Sequence, residues 1–125
     1  MKLLADTHAY LWWLTGDRRL SPRARDAMSD PGSLVFVSAA SIWEVAIKSA
    51  LGRIELHGVD LVAEIANCGF DELSVSARHA QEAGALPLHH QDPFDRMLVA
   101  QAQVEGLTCV TRDPVFASYG VKALW

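Results

Sequence analysis

Four acidic residues, Asp6, Glu44, Asp95 and Asp113, each stand just beyond an apolar run, the place where an α/β fold keeps its chemistry. Asp95 is the most sharply placed. In the run His90-Gln91-Asp92-Pro93-Phe94-Asp95-Arg96-Met97-Leu98-Val99-Ala100-Gln101-Ala102, Asp92 suits a helix N-cap and Pro93 the first helical position. Asp95 then falls in the first turn, at the positive end of the helix dipole. Phe94, Met97, Leu98 and Ala102 recur at helical spacing as the face to bury, and Gly106 supplies a stop.

If the four acids converge, their repulsion is large. At about 5 Å and an effective dielectric near 20, each like-charge pair opposes ionisation by roughly 3 kcal/mol. Several such pairs rival the whole stability of a domain, about 5–15 kcal/mol. The site must then take up protons or bind a cation. Oxygen ligands without Cys or His pairs select hard ions, so Mg²⁺ or Mn²⁺ is favoured over zinc. His89 and His90 are adjacent rather than spaced as a helical zinc pair, and there is no CxxC. A hard ion that keeps its waters suits attack on a phosphodiester, and the reaction class is metal-assisted hydrolysis. Convergence here is an inference from fold; the alternative is four scattered surface acids.

The elements that must position these acids read in order. Lys2-Leu3-Leu4-Ala5 fits a buried strand ended by Asp6-Thr7, and a helix from Ala9 to Leu14 follows. Ser21-Pro22 starts a helix to about Ser29. Leu34 to Val37 is a second strand, with Ser38 capping a helix from Ala39 to Leu51 that carries Glu44 in its first turns. A start at Ser41 would instead give Glu44 a capping-box role. Val59 to Ala66 reads as a helix, Leu73 to Val75 as a third strand near a sheet edge, and Ser76 as the cap of a helix through Ala83. Leu107 to Thr111 forms a fourth strand leading to Arg112-Asp113-Pro114, and Val121 to Leu124 a fifth. Alternating strands and helices predict one parallel sheet of about five short strands with helices on both faces.

The 125 residues suffice for a single domain spanning 1–125, and with half of them hydrophobic and 21% charged the chain is globular. Leu3 to Leu14 is interrupted by Asp6 and His8, so it is neither a signal peptide nor a membrane span. Cys68 and Cys109 read as reduced thiols of a cytoplasmic protein. The net charge of −4 argues against a broad basic surface, although Arg18, Arg19, Arg23 and Arg25 leave room for a local basic rim. Trp12, Trp13 and Trp43 take helical core positions, and His8, His89 and His90 read as structural.

Asp6-Thr7-His8-Ala9-Tyr10-Leu11-Trp12-Trp13-Leu14, Ser38 to Lys48, His90 to Ala102 and Thr111-Arg112-Asp113, in this order and spacing, resemble the VapC family of PIN-domain toxins over nearly the whole chain. The resemblance implies a PIN-like three-layer fold and a Mg²⁺- or Mn²⁺-dependent endoribonuclease. It also implies a homodimer and a VapB-type antitoxin that blocks the site, with some aromatic surface as a groove for an antitoxin helix. Asp6, Glu44, Asp95 and Asp113 match the acidic quartet, with Asp6 and Asp95 the most direct metal ligands. Thr7 and Thr111 would orient carboxylates or waters, and Arg96 or Arg112 would contact phosphate or brace an acid. Hydrolysis of RNA would leave a 5′-phosphate and a 3′-hydroxyl.

Two rival readings are a receiver-like signalling domain with an acidic pocket and a PIN-fold binding module without catalysis. A receiver needs an aspartate after the third strand, where Val75-Ser76-Ala77-Arg78 offers none. The intact quartet speaks against the inactive module.

Overall fold

The first apolar run becomes the middle of the sheet. In the computed structural model, which describes residues 1–125, strand β1 (Lys2–Ala5) is flanked by β2 (Leu34–Ser38) and β4 (Thr108–Val110). Strand β3 (Asp71–Leu73) lies outside β2 and β5 (Ala123–Leu124) outside β4, giving the order β3-β2-β1-β4-β5. Every pairing is parallel, and Leu4 lies between Phe36 and Cys109. The order reverses between β1 and β4, so the crevice beyond their carboxyl ends is the topological switch point.

Alternation along the strands divides the core into two layers. Leu3, Ala5, Val35, Val37 and Val110 face one side, where they meet Tyr10 and Trp12 of α1 (Thr7–Thr15), Met28 of α2 (Pro22–Ser29) and Leu61 and Ile65 of α4 (Leu61–Asn67). Leu4 and Cys109 face the other side. There they meet Leu98, Val99 and Ala102 of α6 (Pro93–Glu105) and Phe116 of α7 (Val115–Ser118). Helix α5 (Ala77–Ala85) packs on α6, and α3 (Ala39–Ala50) touches both α1 and α6. No helix is long and apolar enough to cross a membrane.

Local chemistry sets the helix starts. Asp6, Ser21, Ser38, Asp60, Ser76 and Asp92 each accept a first-turn N–H through the side chain. Because Ser38 is the cap of α3, Glu44 has no capping role. Helix α6 ends at Gly106, whose φ of 69° is a left-handed conformation that glycine adopts without steric cost.

Several boundaries differ from expectation. The third strand is Asp71–Leu73, not Leu73–Val75: the left-handed turn at Gly69 and the buried Phe70 bring the chain into the sheet earlier, and Val75 is left exposed. Helix α1 begins at Thr7, since Asp6 rather than a later residue caps it. Helix α4 starts at Leu61, behind its cap Asp60, and the fifth strand is reduced to Ala123–Leu124. Helix α7, a four-residue turn after Asp113-Pro114, is too short to show a periodic pattern. Trp43 is not core: it is 64% exposed and meets Phe94 edge to face, with ring centroids 5.3 Å apart. Phe94 and Met97 accordingly stay half-buried, and the truly buried face of α6 is Leu98 to Ala102.

Leu98 is 1% exposed at the centre of the second layer. Leu98→Ala should lower unfolding free energy by about 2–5 kcal/mol in a urea titration.

Candidate metal centre

Asp6 follows β1 directly and is 8% exposed. Its Oδ1 accepts the Ala9 N–H at 2.7 Å, so the residue that caps α1 also fixes a carboxylate over the switch point. Thr111, itself buried, accepts the Asp113 N–H at 3.1 Å, and its side chain also favours the charged form of the Asp6 carboxylate. One threonine thus ties together the ends of two neighbouring strands. Burial raises the Asp6 carboxyl above the ordinary value, while Thr111 and Ala9 work the other way.

Asp95 arrives from the first turn of α6, where Asp92 Oδ1 accepts the N–H of Phe94 at 2.8 Å and of Asp95 at 3.2 Å. Asp113 arrives from the loop after β4, and its Oδ1 accepts the Val115 N–H at 2.9 Å. Asp6, Asp95 and Asp113 line one cleft of about 470 Å³ with His8, Trp12, Arg19, Arg112 and Pro114. The Asp95 carboxyl is pushed up to about 7, first by burial and then by Asp92, Glu44 and Asp6, against the opposing pull of His90. A carboxyl that holds a proton near neutrality marks a site with more negative charge than it tolerates alone. That excess fits a divalent cation.

Glu44 is brought to the same region but stands behind the cleft. It is 3% exposed, with Oε1 accepting the Thr7 hydroxyl at 2.7 Å and Oε2 paired with Lys48 Nζ at 2.7 Å, one helical turn on. Ser41 Oγ is 3.0 Å from Thr7 Oγ1. Both Glu44 oxygens are therefore occupied, and its field reaches Asp95 without its side chain lining the cleft.

The same cleft also carries cations. The guanidinium groups of Arg112 and Arg19 lie over the Trp12 ring at 4.6 and 4.8 Å, and Asp17 holds Arg19 at 2.8 Å. Arg96 has a different use from the one its sequence position suggests. Its Nη1 donates to the carbonyls of Pro87 and His90 at 3.0 and 3.3 Å, and its Nη2 to those of Ala83 and Leu86, both at 3.0 Å. All four terminal N–H groups are committed to carbonyls of the last turn of α5 and the loop that follows it, so neither terminal nitrogen is offered to a phosphate or an acid.

The sequence reading missed His90. Its Nε2 lies 2.9 Å from Asp95 Oδ2 and 3.4 Å from Asp113 Oδ2, and one ligand atom from each of these three residues falls within 4.8 Å of the others. The available signal was its place in the loop feeding the Asp92 cap, which aims it back over the helix start.

The PIN domain family matches residues 3–122. The chain belongs to that family. Three solved structures share the fold. The VapBC2 complex of Rickettsia felis bound to a promoter DNA fragment has a TM-score of 0.75 at 11% identity, covering 99% of this chain and 98% of that one. A toxin-antitoxin complex from Klebsiella pneumoniae has a TM-score of 0.66 at 21% identity, covering 98% and 96%. FitAcB from Neisseria gonorrhoeae has a TM-score of 0.61 at 17% identity, also covering 98% and 96%. No curated protein matches the chain. In this PIN domain the receiver alternative is left without support, since β3 is an edge strand followed by Ser74 and Val75 rather than by an acid at the switch point.

The raised Asp95 carboxyl carries a sign. The folded chain holds this proton to a higher pH than the unfolded chain does, so the contribution favours the metal-free fold at low pH and is lost as pH rises through about 7. Asp95→Asn removes the charge. In chelator, the stability of Asp95→Asn relative to the parent should increase by about 1–3 kcal/mol between about pH 5 and about pH 8, read from urea melts.

Proposed function

We propose that this PIN domain is the VapC-type toxin of a toxin–antitoxin pair, a Mg²⁺- or Mn²⁺-dependent endoribonuclease. The observation that carries this reading is one cleft at the switch point lined by Asp6, Asp95 and Asp113 together with Arg19 and Arg112. Acids alone would hold an ion, and arginines alone would hold a phosphate. Sharing one crevice, they suit a phosphodiester.

Asp6, Asp95 and Asp113 would hold the divalent ion, which when bound supplies positive charge for the phosphate oxygens and a water of lowered pKa. The Ala9 N–H keeps the Asp6 carboxylate aimed, and with Thr111 it favours the ionised form against the burial that opposes it. Glu44, pinned by Thr7 and Lys48, adds negative potential from behind. Arg112 and Arg19 receive the substrate's charge, and the Trp12 ring between them keeps their guanidinium planes in place. Water is the nucleophile and the 3′-oxygen leaves, giving 5′-phosphate and 3′-hydroxyl ends, so the 2′-hydroxyl takes no part in bond-making.

The antitoxin partner is supported by the three structural neighbours, which are themselves toxin–antitoxin complexes or relatives of them. The apolar surface of exposed Trp43 with half-buried Phe94 and Met97, around a cavity of about 410 Å³, suits a helix laid into a groove. A cytoplasmic homodimer completes the reading and is supported by the family resemblance.

Incubation of the purified chain with single-stranded RNA and Mn²⁺ should give fragments with 5′-phosphate ends. Chelator, Asp6→Asn and Asp95→Asn should each abolish cleavage, with circular dichroism showing the fold retained. Uncleaved RNA with a folded parent chain would favour a binding module instead.

A further inference from the structure

We infer that His90 is itself a ligand of the metal, so that the site is a mixed nitrogen and oxygen centre rather than an all-carboxylate one. This rests on the metal-dependent reading above. The imidazole Nε2 is shielded from solvent and has no hydrogen-bond partner, although two carboxylate oxygens lie 2.9 and 3.4 Å away. Proximity without a hydrogen bond needs an explanation, because a buried orphaned nitrogen is costly.

Octahedral coordination supplies one. With ligands about 2.1 Å from the ion, neighbouring ligand atoms stand about 3 Å apart, and each lies about 45° away from the other's axis to the metal. A nitrogen aimed at the ion therefore approaches the neighbouring carboxylates closely while pointing at neither. His90 Nε2 stands at such spacings, 2.9 and 3.4 Å from oxygens of Asp95 and Asp113, and the three ligand atoms all lie within 4.8 Å of one another.

The ring is also held in advance. The His90 N–H donates to the Tyr119 hydroxyl at 2.8 Å, and the His90 carbonyl accepts from Arg96 at 3.3 Å, so the backbone on both sides of the ring is fixed. The one contact that ligation exchanges is the long one from the Asp92 N–H to His90 Nδ1, 3.3 Å. Moving the ring proton to Nδ1 gives up that weak bond and frees the Nε2 lone pair for the ion.

An imidazole ligand changes which ion the site prefers. Mg²⁺ favours oxygen, whereas Mn²⁺ and Co²⁺ accept nitrogen more readily. The chain should therefore bind Mn²⁺ more tightly than Mg²⁺, and that difference should depend on His90.

The test uses the full chain titrated with Mn²⁺ and with Mg²⁺ by calorimetry, beside His90→Ala and Asp95→Asn. Pulsed electron paramagnetic resonance of the Mn²⁺-loaded chain should show a directly bonded nitrogen that His90→Ala removes. Mn²⁺ affinity should fall at least about tenfold in His90→Ala, and Mg²⁺ affinity should fall less. Unchanged or tighter Mn²⁺ binding in His90→Ala, or no nitrogen coupling in the parent, overturns the proposal. If Asp95→Asn weakens binding under those conditions, only the His90 ligand is lost. If Asp95→Asn also binds Mn²⁺ unchanged, the metal centre itself is lost with it.

Discussion

Negative charge gathered in a half-buried cleft is the constraint that the remaining structure serves. Asp6, Asp95 and Asp113 come from three distant segments and meet at one rim, where Asp113 raises the cost of ionising Asp6 and Asp6 that of ionising Asp95. A fold accepts such a cluster only if other groups hold the carboxylates apart from one another's best escape. Here those groups are first-turn N–H donors, the Thr111 hydroxyl and the Thr7 to Glu44 to Lys48 chain. The core supplies the counterweight: Leu3, Leu4, Ala5, Val37 and Val110 lie at 0% exposure directly beneath the rim.

The same atoms often serve both architecture and site. Asp6 caps α1 while presenting a carboxylate, and Thr111 joins the chain ends beyond β1 and β4 while orienting that carboxylate. The positions of the acids therefore follow from where strands stop and helices start. That is why they were legible in the sequence: apolar runs end at Asp6 and ahead of Asp113, and Asp92-Pro93 announces the helix of Asp95.

What could not be read depended on through-space partners. His90 sits in an irregular loop, where no periodicity says which way a ring points. Arg96 follows an acid in sequence, but its guanidinium turns to the carbonyls of a loop whose path depends on how α5 packs against α6. Trp43 has helical spacing suited to burial, yet its face of α3 lies beyond the sheet, with only Phe94 as aromatic neighbour. The third strand slipped because Phe70 and Gly69, rather than the Leu73 to Val75 run, govern its entry.

The connection between α5 and α6 is fastened from two sides. Arg96 takes the Leu86, Pro87 and His90 carbonyls, and the Tyr119 hydroxyl bridges the Pro87 carbonyl and the His90 N–H at 2.9 and 2.8 Å. A segment stapled this way is ill suited to swing over the crevice as a flap. On the proposed reading, a polymer would need no hinged door to be raised before it enters, and an internal stretch of a long strand could be laid across the opening as readily as a free end.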